Sequence, residues 1–290
     1  MTIRPRRSLL YMPGSNPRAL EKARSLPADG LILDMEDSVA PDAKQLAREQ
    51  IGAALAAGGY GHRELIVRIN ALSTEWGAGD IEAICAFGTA PDAVLVPKID
   101  TARDVVDAIE AFENAGCPQS VQMWIMAETP LCILNIAEVA AAHPRLAGMV
   151  MGTSDLSKDT RVRHTPDRMG FITALNLCVY AARAHGLTII DGVQLDLQDQ
   201  GLLRASCEQG RDLGFDGKSL IHPDQIAAAN AAFAPDEQEV ASARRIIAAF
   251  EEARAQGKGV VVVNGRLVEN LHVEEAQRQL ALATAIAQLT

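Results

Sequence analysis

VQMWIMAETP, residues 121–130, is an apolar run of strand length that stops on a carboxylate, Glu128. A buried strand has no packing reason to finish on an acid, so the charge either marks the mouth of a site or is simply solvated. Thr129 is placed to cap a following helix, and Pro130 to fill its first turn, where a missing N–H costs nothing. Runs of the same kind recur on both sides: 8–12, 30–35, 64–69 and 93–97 before it, and 146–151, 187–191 and 215–220 after it, with helical segments between. Continuous apolar strands alternating with amphipathic helices predict a parallel sheet, and eight such units predict an α/β fold closed as a (β/α)8 TIM barrel. A doubly wound open sheet is the alternative. Pro17, Pro41, Pro130, Pro166, Pro223 and Pro235 are expected at helix starts and fix the phase of the units.

After the eighth unit the pattern changes. Residues 241–256 read as a long helix, GVVVVNGRLVEN follows with Asn264-Gly265 as a hairpin turn, and a last helix is expected over about 273–289. The division is therefore a catalytic barrel over 1–235 and a C-terminal helix–hairpin–helix extension over 236–290. The extension is too short for a core of its own, and a role as lid or oligomerisation segment is expected.

Composition narrows the function. With 48% hydrophobic residues the chain can build a sizeable core, and 27 basic against 37 acidic residues, a net charge of −10, argue against a nucleic-acid surface. No uninterrupted run of about 18 apolar residues predicts a membrane span, and the basic start lacks a signal-peptide core. A soluble, cytoplasmic protein is expected. Five scattered cysteines without a CxxC pair suggest buried thiols, neither a disulfide framework nor a zinc knuckle.

In such a barrel the side chains that do chemistry come from the C-terminal ends of the strands. Those positions hold Asp34, Glu36 and Asp37; Arg68 and Asn70; Lys98; Glu128; Gly152-Thr153-Ser154-Asp155; Asp191; and Lys218 with Ser219. Glu128 and Asp155, from adjacent strands, offer two hard oxygen ligands, which suit magnesium or manganese better than zinc. Arg68 is placed to grip a substrate carboxylate or to pair with Asp34 or Glu36. Gly152 and Thr153 lie in a turn whose N–H groups can face an anionic oxygen. Ser15, Arg18 and Lys22 surround the first helix N-terminus, which suits phosphate or is a solvated basic face. His222 reads as a cap or packing residue, and Trp76 as a pocket wall or a packing residue.

RSLLYMPGSNPRALEKA, LILDMEDSVAP, VRIN, VPKI, AETP, MGTSDLSKD and GFDGKSLIHPDQI, in this order and nearly end to end, resemble the citrate lyase β-subunit-like group of CoA-ester enzymes. GHRELIVRIN, NALSTEWG, AARAHGLTIIDGV and VENLH are most similar to its (3S)-malyl-CoA thioesterase branch. The resemblance implies a magnesium-dependent barrel enzyme acting on a CoA thioester, trimeric or hexameric, whose C-terminal segment covers a neighbour's site. It implies metal ligands Glu128 and Asp155, Arg68 on a carboxylate, and Ser15, Arg18 and Lys22 on CoA. The lyases of the group resemble one another in carrying an Asp in the tail as the base; here GRLVEN places Glu269 there. An extra methylene moves a carboxylate by about an ångström, which can cost about a hundredfold in proton transfer. Hydrolysis of malyl-CoA, with Glu269, Glu36 or Asp37 as general base, is the expected reaction. A malyl-CoA or citramalyl-CoA lyase, or a citrate lyase β subunit using a carrier-bound acyl group, is the alternative.

Overall fold

The computed structural model describes residues 3–289. Eight parallel strands, β1 (Ser8–Pro13), β2 (Gly30–Asp34), β3 (Glu64–Arg68), β4 (Ala93–Val96), β5 (Gln122–Ala127), β6 (Leu146–Met151), β7 (Thr188–Asp191) and β8 (Gly217–Leu220), close in sequence order into a barrel, β8 pairing with β1. The expected TIM barrel is thus the fold found, and the open sheet is set aside. The chain forms two compact units: the barrel, Arg6–Ala232, and a second unit from Phe233 onward together with the residues before Arg6.

Within the barrel, alternation along each strand decides what faces the axis. Leu9, Ile32, Ile66, Ala93, Leu95, Trp124, Met126, Val150 and Ile190 form the interior cluster, with Tyr11 packed against it. Trp124 is wholly buried and spans the centre of the barrel. Gly148 makes room for it: the β5–β6 register shifts after Met123 so that Gly148 stands opposite Trp124, and a Cβ there would fall 2.5 Å from the indole. From beneath, the Arg6 guanidinium lies 5.3 Å from the indole centroid, held by Glu64 at 2.6 and 2.7 Å. The barrel is therefore filled below its waist, and the pocket described next lies at the C-terminal ends of the strands.

Helix starts follow the local chemistry. Asn16 caps Pro17–Ala23 through Ala19 N–H, and Thr129 caps Pro130–Leu134 through Cys132 N–H at 3.0 Å, with Pro130 in its first turn. Pro223 opens a 3-10 turn whose cap, as expected, is His222, its Nδ1 accepting from Asp224 N–H. Two prolines depart from expectation. Pro166 lies in the loop before Met169–Phe171, and Pro235 precedes Asp236, the residue that caps Glu237–Ala255.

The second unit contains that helix, the antiparallel pair β9 (Val261–Val263) and β10 (Arg266–Val268), and the helix Asn270–Ala287. Asn264 and Gly265 both have positive φ, 50° and 77°, the tight hairpin their sequence predicts. Phe250, Val268 and Val273 make its small core, with Ile246, Ile247, Val261 and Val263 against them. No helix among the described residues is long and apolar enough to cross a membrane.

Candidate active site

At the open end of the barrel lies a pocket of about 300 Å³, lined by Tyr11, Asp34, Asp37, Ser38, Arg68, Met126 and Glu128, and by Gly152 to Asp155, among others. Its side chains arrive there by strand phase. Tyr11 follows the inward-facing Leu9 by two residues, Asp34 follows Ile32, Arg68 follows Ile66, and Glu128 follows Met126. Asp34 and Arg68 are also register partners on β2 and β3, so their side chains meet on the same face.

Arg68 pairs with Asp34 in a two-pronged arrangement, Nε to Oδ1 at 2.7 Å and Nη2 to Oδ2 at 2.8 Å. Its Nη1 meets Glu36 Oε2 at 2.8 Å and Asp37 Oδ2 at 3.3 Å, and its guanidinium lies 4.8 Å from the Tyr11 ring centroid. The ion-pair reading of Arg68 is therefore what the structure holds. Burial alone would raise the Asp34 pKa, but the Arg68 charge and the hydrogen bonds from Arg68, Ser38 and Glu36 N–H outweigh it and hold the carboxyl below its usual range. Glu36 goes the other way. Burial is the largest effect, Arg68 offsets it only in part, and Asp37 and Glu128 add repulsion, so its pKa is pushed up to about 8. Its Oε2 touches Arg68 without a hydrogen-bonding angle and has no hydrogen-bond partner. The buried Lys44 fixes the loop that carries Glu36, donating to the carbonyls of Met35 at 2.9 Å and Glu36 at 2.8 Å.

On the opposite wall Glu128, 1% exposed, sits beside Asp155. Gly152 permits this closeness: a Cβ there would lie 2.4 Å from Glu128 Cβ and 2.8 Å from its Oε2. Asp155 stands in the first turn of the helix Thr153–Thr160, where the N–H groups of the first turn have no partners inside the helix. The two carboxylates converge on one cationic atom, Lys98 Nζ, at 3.3 Å from Glu128 and 2.6 Å from Asp155. Burial raises the Glu128 pKa, with Lys98 countering it. No group of three or more His, Cys, Asp or Glu side chains with metal-binding placement occurs among the described residues. Two oxygens aimed at a common point nevertheless fit a hard cation that keeps several waters, as magnesium does.

Not every strand-end residue reaches this mouth. Asp191 is adjacent to the inward-facing Ile190 and so points outward, as does its register partner Lys218. Both are fully buried, Asp191 accepting from Lys218 Nζ at 2.7 Å and from Arg168 Nη1 at 2.7 and 2.8 Å. Asn70 is likewise tied to Asp80 and the Met35 carbonyl. Trp76 does not line the pocket; it packs beneath Lys44, 5.0 Å from Nζ, and accepts a bond from Arg48 on its carbonyl. Ser15 is half-buried, and Arg18 and Lys22 are exposed on the helix Pro17–Ala23. Glu269 is exposed in the second unit, at the start of Asn270–Ala287, where His272 Nδ1 accepts from its N–H at 3.1 Å. Tyr11, Ser38 and Met126 line the pocket without having been expected there. Tyr11 was legible as the inward phase of the first strand, and Ser38 as the fourth residue after Asp34.

A family model described as HpcH/HpaI aldolase/citrate lyase matches residues 7–223, nearly the whole barrel. The chain belongs to this family. Among its HpcH/HpaI relatives, a (3S)-malyl-CoA thioesterase of Cereibacter sphaeroides (strain KD131) is 53% identical over 98% of this chain and 96% of its own. The citrate lyase subunit beta of Escherichia coli K12 is 38% identical over 97% of this chain and 94% of its own. A solved structure of the protein CitE from Mycobacterium tuberculosis, in complex with magnesium, acetoacetate and coenzyme A, superposes with a TM-score of 0.79 at 28% identity, covering 98% of this chain and all of that one. The HpcH/HpaI assignment thus agrees with the resemblance carried by the sequence motifs.

Proposed function

We propose that the chain is a divalent-metal-dependent thioesterase that hydrolyses (3S)-malyl-CoA to malate and CoA. One observation carries the reading: identity to a (3S)-malyl-CoA thioesterase exceeds half along almost the whole chain, against 38% for a citrate lyase β subunit. The pocket supports it. Asp34, Asp37, Glu128 and Asp155 crowd it against two cations, Arg68 and Lys98, an acidic balance that a bound divalent cation would offset for a carboxylate-bearing substrate.

Glu128 and Asp155 would hold magnesium, with manganese as a substitute, and the metal supplies Lewis-acid charge for the malyl group. Arg68 is fixed by its two bonds to Asp34, so Nη1, which meets Glu36 at 2.8 Å and Asp37 at 3.3 Å, is the donor that the substrate carboxylate would take over from them. The first-turn N–H groups of Thr153–Thr160, after Gly152, stabilise the oxyanion that forms on the thioester carbonyl. Water attacks that carbon, the C–S bond breaks, and the CoA thiolate takes up a proton. Two carboxylates are candidates to accept the water's proton: Asp37, exposed and lining the pocket, and Glu269 of the second unit. Glu36 joins them only above its pKa. Ser15, Arg18 and Lys22 receive the CoA phosphates. The proposal extends to a cytoplasmic homotrimer or homohexamer, and the five free thiols fit a reducing compartment.

The test is malyl-CoA with magnesium, with free thiol followed and glyoxylate trapped in the same tube. Thiol without glyoxylate is expected. Glyoxylate with intact acetyl-CoA would instead make the protein a lyase and show that Glu269 can replace the Asp. In the same assay Glu269→Gln is expected to lower turnover about a hundredfold without loss of metal binding; near-normal turnover would leave Asp37 as the base.

A further inference from the structure

Lys98 has no part in the reaction above, yet the backbone is bent to bring it to the carboxylates. It follows β4 with φ of +56°, a left-handed conformation that a lysine seldom adopts. The bend turns two of its groups onto Glu128: its backbone N–H donates to Oε1 at 2.8 Å, and its ammonium lies 3.3 Å from the same oxygen. The ammonium also reaches Asp155 Oδ2 at 2.6 Å, bridging the two acids. The bridge is asymmetric in mobility. The Glu128 side chain is 1% exposed and has nowhere to go, whereas that of Lys98 is 38% exposed, on a flexible stem able to swing into solvent.

We infer that Lys98 is a displaceable internal counter-ion, which holds Glu128 and Asp155 together in the metal-free protein and competes with the divalent cation for them. This rests on the metal reading above and goes beyond it. Two neighbouring carboxylates, one of them buried, repel each other and drift apart unless a cation stands between them. The lysine supplies that cation, keeps the acids at the spacing they will need, and leaves when a double charge takes its place. Competition of this kind weakens apparent metal affinity by the factor with which the lysine occupies the site. The factor is the same for every cation, so it raises the metal concentration needed to load the site without changing the order of preference among metals. Lys98 is a positioning residue, and the backbone N–H that anchors Glu128 stays when the ammonium goes.

The experiment is Mn2+ titration, by loss of the free-ion electron paramagnetic resonance signal, of the wild-type protein, Lys98→Met and Lys98→Asn, with thermal unfolding of each in EDTA and in saturating MgCl2. Asparagine tolerates the left-handed backbone, so it separates loss of charge from loss of the turn. Both variants are expected to bind Mn2+ about tenfold more tightly than wild type, to melt lower in EDTA, and to recover most of that difference in MgCl2. Equal Mn2+ affinities, or a melting difference that MgCl2 leaves unchanged, would overturn the role of Lys98 while leaving the metal reading intact. Absence of Mn2+ binding in all three proteins would overturn the metal reading, and the competition with it.

Discussion

Glu36 shows how one residue acquires a function-bearing state from its surroundings. Burial pushes its pKa up to about 8, and Arg68, whose two better-aligned donors go to Asp34, offsets that only in part, so Glu36 is held neutral until about pH 8. An unfolded glutamate ionises near 4.5, so between about pH 4.5 and 8 the unfolded chain has lost a proton that the folded one keeps. Stability from this group is therefore fully present below 4.5 and is lost as pH rises toward 8, by up to a few kcal/mol. Glu36→Gln should flatten the fall in urea midpoint between pH 5 and 8.5; an unchanged slope would show that Glu36 ionises normally. Residues of this kind were only half legible. Glu128 declared itself as an acid ending an apolar strand, Asp155 as an acid in the turn that follows the next strand, and Arg68 as a cation amid acids. The bridging by Lys98 depends on a left-handed turn that no residue type announced. Asp191 and Lys218 were misread because a continuous apolar strand does not reveal which of its two faces turns inward.

Among the elements, the β5–β6 pair carries the most. Its register shift opposes Gly148 to Trp124, and four residues later the same inward phase opposes Gly152 to Glu128. The strand thus uses glycine twice, once to admit an indole and once to admit a carboxylate. Gly152→Ala should push Glu128 out of line with Asp155, lowering turnover about a hundredfold while the far-ultraviolet circular dichroism stays that of the wild type. Turnover within a few-fold of wild type would mean that the loop yields at no cost. The strands themselves were readable to within two residues, because β-branched and apolar runs of five or six residues flanked by helix caps leave few alternatives. Pro166 and Pro235 misled because proline suits the approach to a helix as well as its first turn.

For the whole molecule, the second unit exposes Val262, Leu267 and Leu271 at 66%, 55% and 60% on and beside its hairpin. That is apolar surface a homo-oligomer would cover. Light scattering should give a trimer or hexamer, and Val262→Asp with Leu267→Asp should lower that mass; a wild-type monomer would end the oligomer proposal. The helix–hairpin–helix order of this unit was plain from the Asn264-Gly265 turn, but what it faces is not written in its own residues. The filled barrel has a kinetic consequence. Trp124 and Arg6 fill one end of the barrel, which makes the pocket mouth at the other end the route the proposal gives to substrate and products. If the acyl group binds at Arg68 and Glu128 with the carrier above it, the small acid is corked in until the thiol departs. Release is then compulsory in order, CoA first and malate last. Malate should inhibit competitively against malyl-CoA and CoA noncompetitively, whereas the reverse pattern would require a second exit.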